Sequence, residues 1–154
     1  MHVQARIFPV RTADFPHLVD VWEASVRATH HFVSETDIQF FKLRVRDVLP
    51  QMPHLACVRD DNNQVAGFIA VANGKVDMLF IHPLARRQGA GRRLLNDAVT
   101  RFGATTLDVN EHNAQAVGFY LRMGFEVVGR SERDGMGKPY PLLHLRLAGV
   151  IGES

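Results

Sequence analysis

The sequence predicts an α/β (α+β) domain, with a mixed central sheet of about seven strands flanked by about four helices. Two observations predict this class. Apolar residues recur at helical spacing in several separate segments, and short runs with the composition of strands lie between them. The 154 residues contain no repeat and no Pro/Gly/Ser-rich linker, so we expect a single domain over residues 1–154.

The first third of the chain predicts a short strand followed by two helices. The stretch "QARIFPV" at residues 4–10 alternates as a strand does, and residues 12–30 then have apolar positions at helical spacing. Ser34 is followed three residues later by an acid, which is a capping-box arrangement. A second helix therefore begins there and ends at Pro50.

The middle of the chain changes to the period of strands. The runs "HLACVRD", "VAGFIAVAN" and "KVDMLFI" are separated by "DNNQ" and by a turn at Gly74, and such short connections predict antiparallel pairing. A helix, the strand "TTLDVN", the helix "NAQAVGFYLRMG" and two further strands follow. The strand–helix–strand unit at residues 76–110 should be the parallel part of the sheet.

Composition and charge exclude several classes of protein. Hydrophobic residues make up 46% and charged residues 22%, and the net charge is +2 although the pI is about 9.0. This mild charge suits a small anionic ligand better than nucleic acid. No apolar run approaches the ~20 residues that cross a bilayer, and "MHVQARIFPV" lacks the features of a signal peptide. The chain has one cysteine, Cys57, in an apolar run, so we expect a cytoplasmic protein. From the charge and the apolar runs, we expect no nucleic-acid partner and no membrane association.

Residues 86–95, "RRQGAGRRLL", place a flexible cationic turn directly before a helix. A helix N-terminus leaves about four backbone N–H groups unpaired and carries about half a positive charge. Gly89, Ala90 and Gly91 have no bulky side chains, so a phosphate can approach these N–H groups. The turn also carries four cationic side chains: Arg86, Arg87, Arg92 and Arg93. The alternative is that the glycines only permit a sharp strand-to-helix turn.

Two other phosphate-binding motifs do not fit the sequence. A P-loop would have to use Gly137 and Lys138, but Glu132 stands where its first glycine should be and Pro139 follows the lysine. A dinucleotide fingerprint starting at Gly89 would have Leu94 at its third glycine position. The bound anion therefore belongs to another class.

The turn instead resembles the acetyl-coenzyme A motif of the GNAT superfamily of N-acetyltransferases, Arg/Gln-x-x-Gly-x-Gly/Ala, here Arg86-x-x-Gly89-x-Gly91. A second family pattern, Asn-x-x-Ala-x-x-Phe-Tyr-x-x-x-Gly-Phe, is matched by Asn113, Ala116, Phe119, Tyr120, Gly124 and Phe125. Both patterns occur in order, so the chain is identified as a member of this family with the GNAT acyl-CoA N-acyltransferase fold. The segments "SVRATHHF" and "GRSERDGMGKPYPLLHL" resemble the small stand-alone bacterial members.

The resemblance implies where coenzyme A binds. Strand 76–81 should separate from strand 105–110, with the pantetheine arm in the opening beside the β-strand backbone. The loop from Arg87 to Arg92 should hold the pyrophosphate through main-chain nitrogens, and Asn113 should contact the pantetheine or phosphate arm. The cofactor-binding residues implied are Leu79, Phe80, Ile81, Arg86, Arg87, Gln88, Gly89, Ala90, Gly91, Arg92 and Asn113.

The resemblance also implies that Tyr120 is catalytic, with its hydroxyl near the thioester sulfur. The leaving thiolate has a pKa of about 8.5 and a phenol one of about 10, so the phenol can hydrogen-bond to the thiolate and return a proton. A backbone donor near Leu79 or Phe80 would stabilise the thioester oxygen. Alternatively, Tyr120 has no catalytic role and its ring only packs on the core.

The acceptor amine must lose a proton before it attacks, because a lysine-like amine has a pKa of about 10.4. Six side chains are candidates for the base: Asp77, Asp108, Glu111, His30, His31 and His82. The neighbouring histidines His30 and His31 point about 100° apart in a helix, so no metal site is expected. The segment "GKPYPLLHL" should border the acceptor site, with Tyr140 as an aromatic wall, or else form a proline-stiffened edge strand.

The predicted function is an acetyl-CoA-dependent N-acetyltransferase, with acetyl-CoA as cosubstrate and no metal. It would transfer the acetyl group to a primary amine by direct attack in a ternary complex. A non-catalytic coenzyme A-binding regulatory module is the alternative, although mere binding does not require Tyr120. The acceptor is a small-molecule or protein amine: a protein lysine, a protein N-terminus, a polyamine, an amino acid or an aminoglycoside. The sequence leaves open whether the protein is a monomer or a homodimer.

Overall fold

The computed structural model describes residues 1–149, and within them the chain forms one mixed sheet of seven strands with four α-helices. The strands are β1 (Phe8–Pro9), β2 (His54–Arg59), β3 (Val65–Ala72), β4 (Lys75–Ile81), β5 (Thr106–Asn110), β6 (Phe125–Ser131) and β7 (Leu142–Leu147). The helices are α1 (Phe15–Thr29), α2 (Glu35–Val48), α3 (Ala90–Phe102) and α4 (Ala114–Arg122). The strand order is β1-β2-β3-β4-β5-β7-β6. The predicted fold class is therefore confirmed.

Two hydrophobic clusters lie on the two faces of the sheet. One contains apolar residues of α1 and α2, and the other contains apolar residues of α3 and α4. Neighbouring residues of β3, such as Phe68 and Ile69, enter opposite clusters, and both are fully buried. Because this strand is covered on both faces, its sequence is a continuous apolar run instead of an alternating one.

The predicted capping box at the start of α2 is only half formed. The main-chain N–H of Asp37 donates to Oγ of Ser34 at 3.1 Å, as the sequence predicted. The carboxylate of Asp37 is engaged elsewhere, since it accepts from the hydroxyl of Tyr140 and lies 3.0 Å from Nζ of Lys138. Asp37 therefore ties α2 to the connection between β6 and β7.

The parallel pairing of β4 and β5 is confirmed, and it is very short. Only Lys75 with Thr106 and Val76 with Leu107 are paired. Along the other edge of β4, Val76 pairs with Val71 and Met78 with Ala70, so Asp77 is an extra bulged residue. β-bulges bend and twist a strand, and beyond this bulge β4 and β5 separate as expected.

Two predictions for individual strands are wrong. The strand expected over residues 4–10 is reduced to Phe8 and Pro9, which pair with β2. The interpretation of residues 142–147 as an edge strand fails because β7 lies between β5 and β6, so that β6 is the edge. Pro141 immediately precedes β7 and therefore removes no hydrogen bond from its ladder.

Cys57 behaves as a small buried apolar residue. Its side chain is fully buried against the α1/α2 cluster, and its Sγ lies 3.9 Å from the carbonyl oxygen of Pro9. Burial raises the pKa of the Cys57 thiol to about 11. The thiol is therefore protonated at neutral pH and is a poor nucleophile.

None of the four helices between residues 1 and 149 combines the length and apolar character needed to span a bilayer.

A buried ion pair joins the beginning of α1 to the end of β2. The guanidinium of Arg59 donates two hydrogen bonds, of 3.2 and 2.7 Å, to the carboxylate of Asp14, and the residues are 3% and 7% exposed. The main-chain N–H of Arg11 also donates to Asp14 at 2.8 Å. Burial alone would raise the pKa of Asp14, but these hydrogen bonds outweigh it and lower the pKa.

Replacing Asp14 by Asn should lower the free energy of unfolding at neutral pH by about 3 kcal/mol, because Arg59 would be left buried without a counter-ion. The native pKa of Asp14 is depressed, so its stabilisation is present above the unfolded pKa and is lost as pH falls through the folded pKa. Urea denaturation of both proteins should show their difference narrowing below about pH 4. Asp20→Asn, at an exposed site on α1, serves as control. An equal loss in both variants would contradict the prediction.

Candidate functional site

The opening between β4 and β5 leads into two adjoining cavities. The larger, of about 400 Å³, lies among β4, α3 and α4, and the smaller, of about 170 Å³, lies between β4 and β5. The residues that line both are His30, Leu79, Phe80, Asn113, Ala116 and Tyr120. Every predicted cofactor-binding residue except Gln88 lines the larger cavity. The sequence motifs are thus brought together at one place.

The N-terminus of α3 offers free main-chain N–H groups to the larger cavity. Its N-cap, Gly89, has a φ of +78° and no side chain that could bond to these groups. A Cβ atom on Gly91 would lie 3.4 Å from Cζ of Phe119, so α4 packs closely on this turn. This arrangement is a general anion-binding site, because the unpaired N–H groups and the positive end of the helix dipole coincide.

Gln88 and Arg93 support this turn from outside the cavity. The side chain of Gln88 is hydrogen-bonded to the main chain of Met1 and Val3. The guanidinium of Arg93 donates to the carbonyl oxygens of Gln88 and Gln4. The geometry therefore favours a supporting role for the Gln88 side chain over direct binding of the coenzyme.

Tyr120 on α4 lines both cavities and is also part of the core. It is 8% exposed, and its ring lies 5.2 Å from that of Phe119 and 6.1 Å from that of Phe125, measured between centroids. Burial raises the pKa of Tyr120 above the ordinary value. The phenol is therefore a proton donor throughout the neutral range.

Asn113 is the N-cap of α4. Its Oδ1 accepts a hydrogen bond of 3.3 Å from the main-chain N–H of Ala116. This bond orients the side chain at the boundary of the two cavities, where Asn113 lines both.

Two carboxylates line the smaller cavity, and their surroundings move their pKa values in opposite directions. Partial burial, which is the larger cause, and the charge of Asp108 raise the pKa of Asp77, against the opposing charge of Lys75. Asp108 accepts from Nζ of Lys75 at 2.7 Å and from Nδ1 of His144 at 2.6 Å. Although burial acts to raise the pKa of Asp108, these bonds lower it. Asp108 therefore stays ionised, while Asp77 is the better proton acceptor.

His30 is the only one of the histidine candidates that reaches either cavity. Burial, with a smaller contribution from the charge of His31, lowers the pKa of His30 to about 4. Its Nδ1 lies 2.7 Å from Oγ1 of Thr29, whose oxygen is also 2.8 Å from the carbonyl oxygen of Ser25. The imidazole is neutral at physiological pH.

The remaining candidate bases lie outside both cavities. The two carboxylate oxygens of Glu111 accept from Arg130 at 2.6 and 3.1 Å. Nδ1 of His82 accepts from the main-chain N–H of Leu84 at 3.1 Å, and His31 is exposed. Glu111 and His82 are therefore engaged in structural hydrogen bonds, and His31 faces solvent, so none of the three lines a cavity.

An aromatic group that the sequence analysis missed lies beside the smaller cavity. The ring of Phe32 is 5.3 Å from that of His30, 5.5 Å from that of His112 and 6.1 Å from that of Tyr140. These rings come from the α1–α2, β5–α4 and β6–β7 connections. Tyr140 belongs to this cluster, and its place beside the acceptor stays a prediction. The only sequence signal for Phe32 was its position directly after the two histidines.

Within residues 1–149 no three His, Cys, Asp or Glu side chains are grouped as a metal ion would require.

Comparisons with known proteins identify the family. The acetyltransferase (GNAT) domain family matches residues 26–138. Peptidyl-lysine N-acetyltransferase YjaB of Salmonella typhimurium strain LT2 is 46% identical over 128 residues, covering 83% of this chain and 88% of the relative. The solution structure of apo YjaB from Escherichia coli matches with a TM-score of 0.85 and 41% identity, covering 97% of this chain and 99% of that one.

A more distant structure shares the fold. The PaiA N-acetyltransferase of Thermoplasma acidophilum, determined in complex with coenzyme A, matches with a TM-score of 0.70 at 18% identity, covering 96% of this chain and 99% of that one. The predicted fold, family and similarity to small bacterial members are thus confirmed. The chain belongs to the GNAT family and is an N-acetyltransferase that uses acetyl-CoA as its acyl donor.

Proposed function

We propose that this enzyme acetylates the side-chain amine of a lysine in a protein or peptide, by direct attack on acetyl-CoA in a ternary complex. The observation that carries the proposal is the pair of adjoining cavities, one with bare main-chain N–H groups and the other with two carboxylates. The name of the 46% identical relative, a peptidyl-lysine N-acetyltransferase, supports the same acceptor class.

The larger cavity would receive the coenzyme. From Leu79 to Ile81 the main chain of β4 is paired with β3 on one side, while β5 has left the other side. Unpaired backbone groups need hydrogen-bond partners, and the amides of pantetheine supply them as an added strand would. The diphosphate would then lie on the N–H groups of Gly89 to Arg92, with Arg86 and Arg87 nearby.

Acetyl transfer would take place where the two cavities meet. The amine nitrogen, after giving one proton to the base, forms a bond to the thioester carbon, the carbon–sulfur bond breaks, and the sulfur takes a proton from the hydroxyl of Tyr120. The nitrogen then releases its second proton to solvent, and the Tyr120 oxygen regains one from solvent, so that the phenol is restored. A main-chain N–H near Leu79 or Phe80 would stabilise the negative charge on the thioester oxygen. Tyr120 is suited to this role because its raised pKa keeps the phenol protonated until the thiolate forms.

Asp77 would be the base that takes the proton of the acceptor ammonium. Its raised pKa brings it closer to that of an amine, which makes proton transfer easier. Asp108, held ionised by Lys75 and His144, would attract the ammonium group. Opposite shifts in two neighbouring titratable groups are a feature of acid–base sites. The pKa of His30 is lowered to about 4 by burial, so it is a weaker base than an ordinary histidine.

The aromatic rings of Phe32, His112 and Tyr140 would pack against the acceptor. A lysine side chain has an apolar stem and a cationic end, so aromatic rings and carboxylates near one another would suit its two parts. The hydroxyl of Tyr140, bonded to Asp37, would keep the β6–β7 connection in place beside the entrance.

A panel of amines tests the acceptor class. We expect a lysine peptide blocked at its N-terminus to be acetylated with a higher kcat/KM than the same peptide with Arg in place of Lys, spermidine, free lysine or an aminoglycoside. Coenzyme A release measures turnover, and mass spectrometry locates the acetyl group on the product. Turnover of a small amine above that of every lysine peptide would show that the proposed acceptor class is wrong.

Tyr120→Phe should lower kcat about 100-fold, because the leaving thiolate would lose its proton donor. The KM for acetyl-CoA should stay the same, since the ring and its packing are retained. The matched control is Tyr140→Phe, which removes the other phenol and should raise the acceptor KM with little change in kcat. If Tyr120→Phe kept the wild-type kcat, Tyr120 would be only a packing residue.

The pH dependence of kcat/KM tests the base. Because Asp77 acts in its ionised form, activity should be lost as pH falls through a pKa above the ordinary value of 3.8. Asp77→Asn should abolish this acidic limb and lower the rate about 100-fold at neutral pH. Asp108→Asn should move the limb to lower pH, since it removes a negative charge and frees Lys75 beside Asp77. An unchanged limb in Asp77→Asn would assign the base elsewhere.

A further inference from the structure

Residues 1–4 form a short segment, here called the strap, that is bonded to the turn before α3. The main-chain N–H of Val3 donates to Oε1 of Gln88 at 2.9 Å. Nε2 of Gln88 donates to the carbonyl oxygen of Met1 at 2.6 Å. Both polar ends of the Gln88 side chain are thus used to hold the strap, 85 residues away in sequence.

Arg93 makes a second connection between the strap and the turn. One guanidinium nitrogen donates to the carbonyl oxygen of Gln88 at 2.9 Å, and the other donates to that of Gln4 at 3.3 Å. The main-chain N–H of Arg93 also donates to the carbonyl oxygen of Gly89 at 3.0 Å. Arg93 therefore fixes Gln88 and Gly89 from the first turn of α3.

The other side of the strap is fixed to the sheet. Val3 is buried in the α3/α4 cluster and forms an isolated antiparallel bridge with Asp60. The main-chain N–H of Gln4 donates to the carbonyl oxygen of Arg59 at 2.8 Å, and its side chain donates to that of Asp60 at 2.8 Å. The strap thus links the end of β2 to the turn before α3.

The turn needs such support because its conformation is not one that the chain adopts freely. Gln88 lies between Arg87, with a φ of +63°, and Gly89, with a φ of +78°. A left-handed conformation at a residue other than glycine persists only where surrounding contacts hold it. In this conformation Gly89 to Arg92 line the larger cavity, and successive main-chain N–H groups form an anion-binding concavity only when the backbone of the turn keeps such a shape.

We propose that Gln88 and Arg93 are positioning residues that, through the strap, hold the diphosphate-binding turn in its ligand-ready conformation. The proposal rests on the placement of the coenzyme diphosphate given above. Neither side chain touches the coenzyme. Their contribution is to reduce the ordering that binding would otherwise have to impose on the turn. Since coupling between sites is reciprocal, coenzyme binding should in turn make the strap more ordered.

The test compares two acyl donors in steady-state kinetics. Gln88→Met keeps the volume of the side chain and removes both hydrogen bonds to the strap. We expect the KM for acetyl-CoA to rise roughly 5- to 50-fold, as the loss of one or two hydrogen bonds implies, with kcat unchanged. With S-acetyl-pantetheine, which lacks the diphosphate, the KM should be the same in the variant and in the wild type.

Controls separate this role from a general loss of stability. Gln51→Ala removes a side-chain hydrogen bond of 3.0 Å to the carbonyl oxygen of Asp47, far from the turn, and should leave both donors unaffected. Arg93→Met should reproduce the selective effect of Gln88→Met. Equal effects on both donors, or no effect on acetyl-CoA, would overturn the proposal. If the wild type had the same KM for both donors, the diphosphate would contribute nothing and the proposed placement of the coenzyme would fail instead.

Hydrogen exchange gives a readout that is independent of turnover. Adding coenzyme A should slow exchange at the main-chain N–H groups of Val3 and Gln4 in the wild type, and this protection should be lost in Gln88→Met. Adding pantetheine alone should have no such effect. Equal exchange rates at Val3 and Gln4 with and without saturating coenzyme A would contradict the coupling.

Discussion

The site depends on the separation of β4 from β5 after only two residue pairs. The bulge at Asp77 bends β4 directly after the last pair, so the two strands diverge and cannot pair again. This single irregularity leaves the main chain of β4 open on one side, joins the cavities and places the Asp77 carboxylate beside them. A continuous ladder here would fill the space in which, under the proposed function, the coenzyme and the acceptor would meet.

Asp108 holds the end of this short ladder in place. One of its oxygens accepts from Lys75 on β4 and the other from His144 on β7, so the carboxylate ties together three strands where the opening begins. The same charge also acts on Asp77 and raises its pKa. Asp108 therefore contributes both to holding the strands together where the opening begins and, as a smaller cause beside burial, to the raised pKa of Asp77.

Sequence patterns located what is determined locally, and missed what the tertiary arrangement determines. Helix periodicity and the Ser34 cap placed the helices, and the family resemblance placed most of the residues that line the larger cavity. By contrast, Asp37 binds Tyr140, 103 residues away, instead of closing its own capping box. Gln88 lies inside the motif, yet its side chain holds Val3. Nothing in local composition indicates such partners, because they depend on how distant segments meet.

Burial raises the pKa of Tyr120 and so makes its phenol a weaker acid. A weaker acid gives up its proton to the leaving sulfur less readily, unless the pKa of that sulfur is raised as well. The sulfur that receives the proton is subject to the same effect. In this protein, burial raises the pKa of the Cys57 thiol to about 11, and a coenzyme A thiolate formed between the cavities would be desolvated in a similar way. Under the proposed mechanism both pKa values would be raised, so the phenol could still donate as the carbon–sulfur bond breaks. In the proposed mechanism the acceptor proton would leave through Asp77, which is more exposed than Tyr120, so the two transfers would not compete for one group.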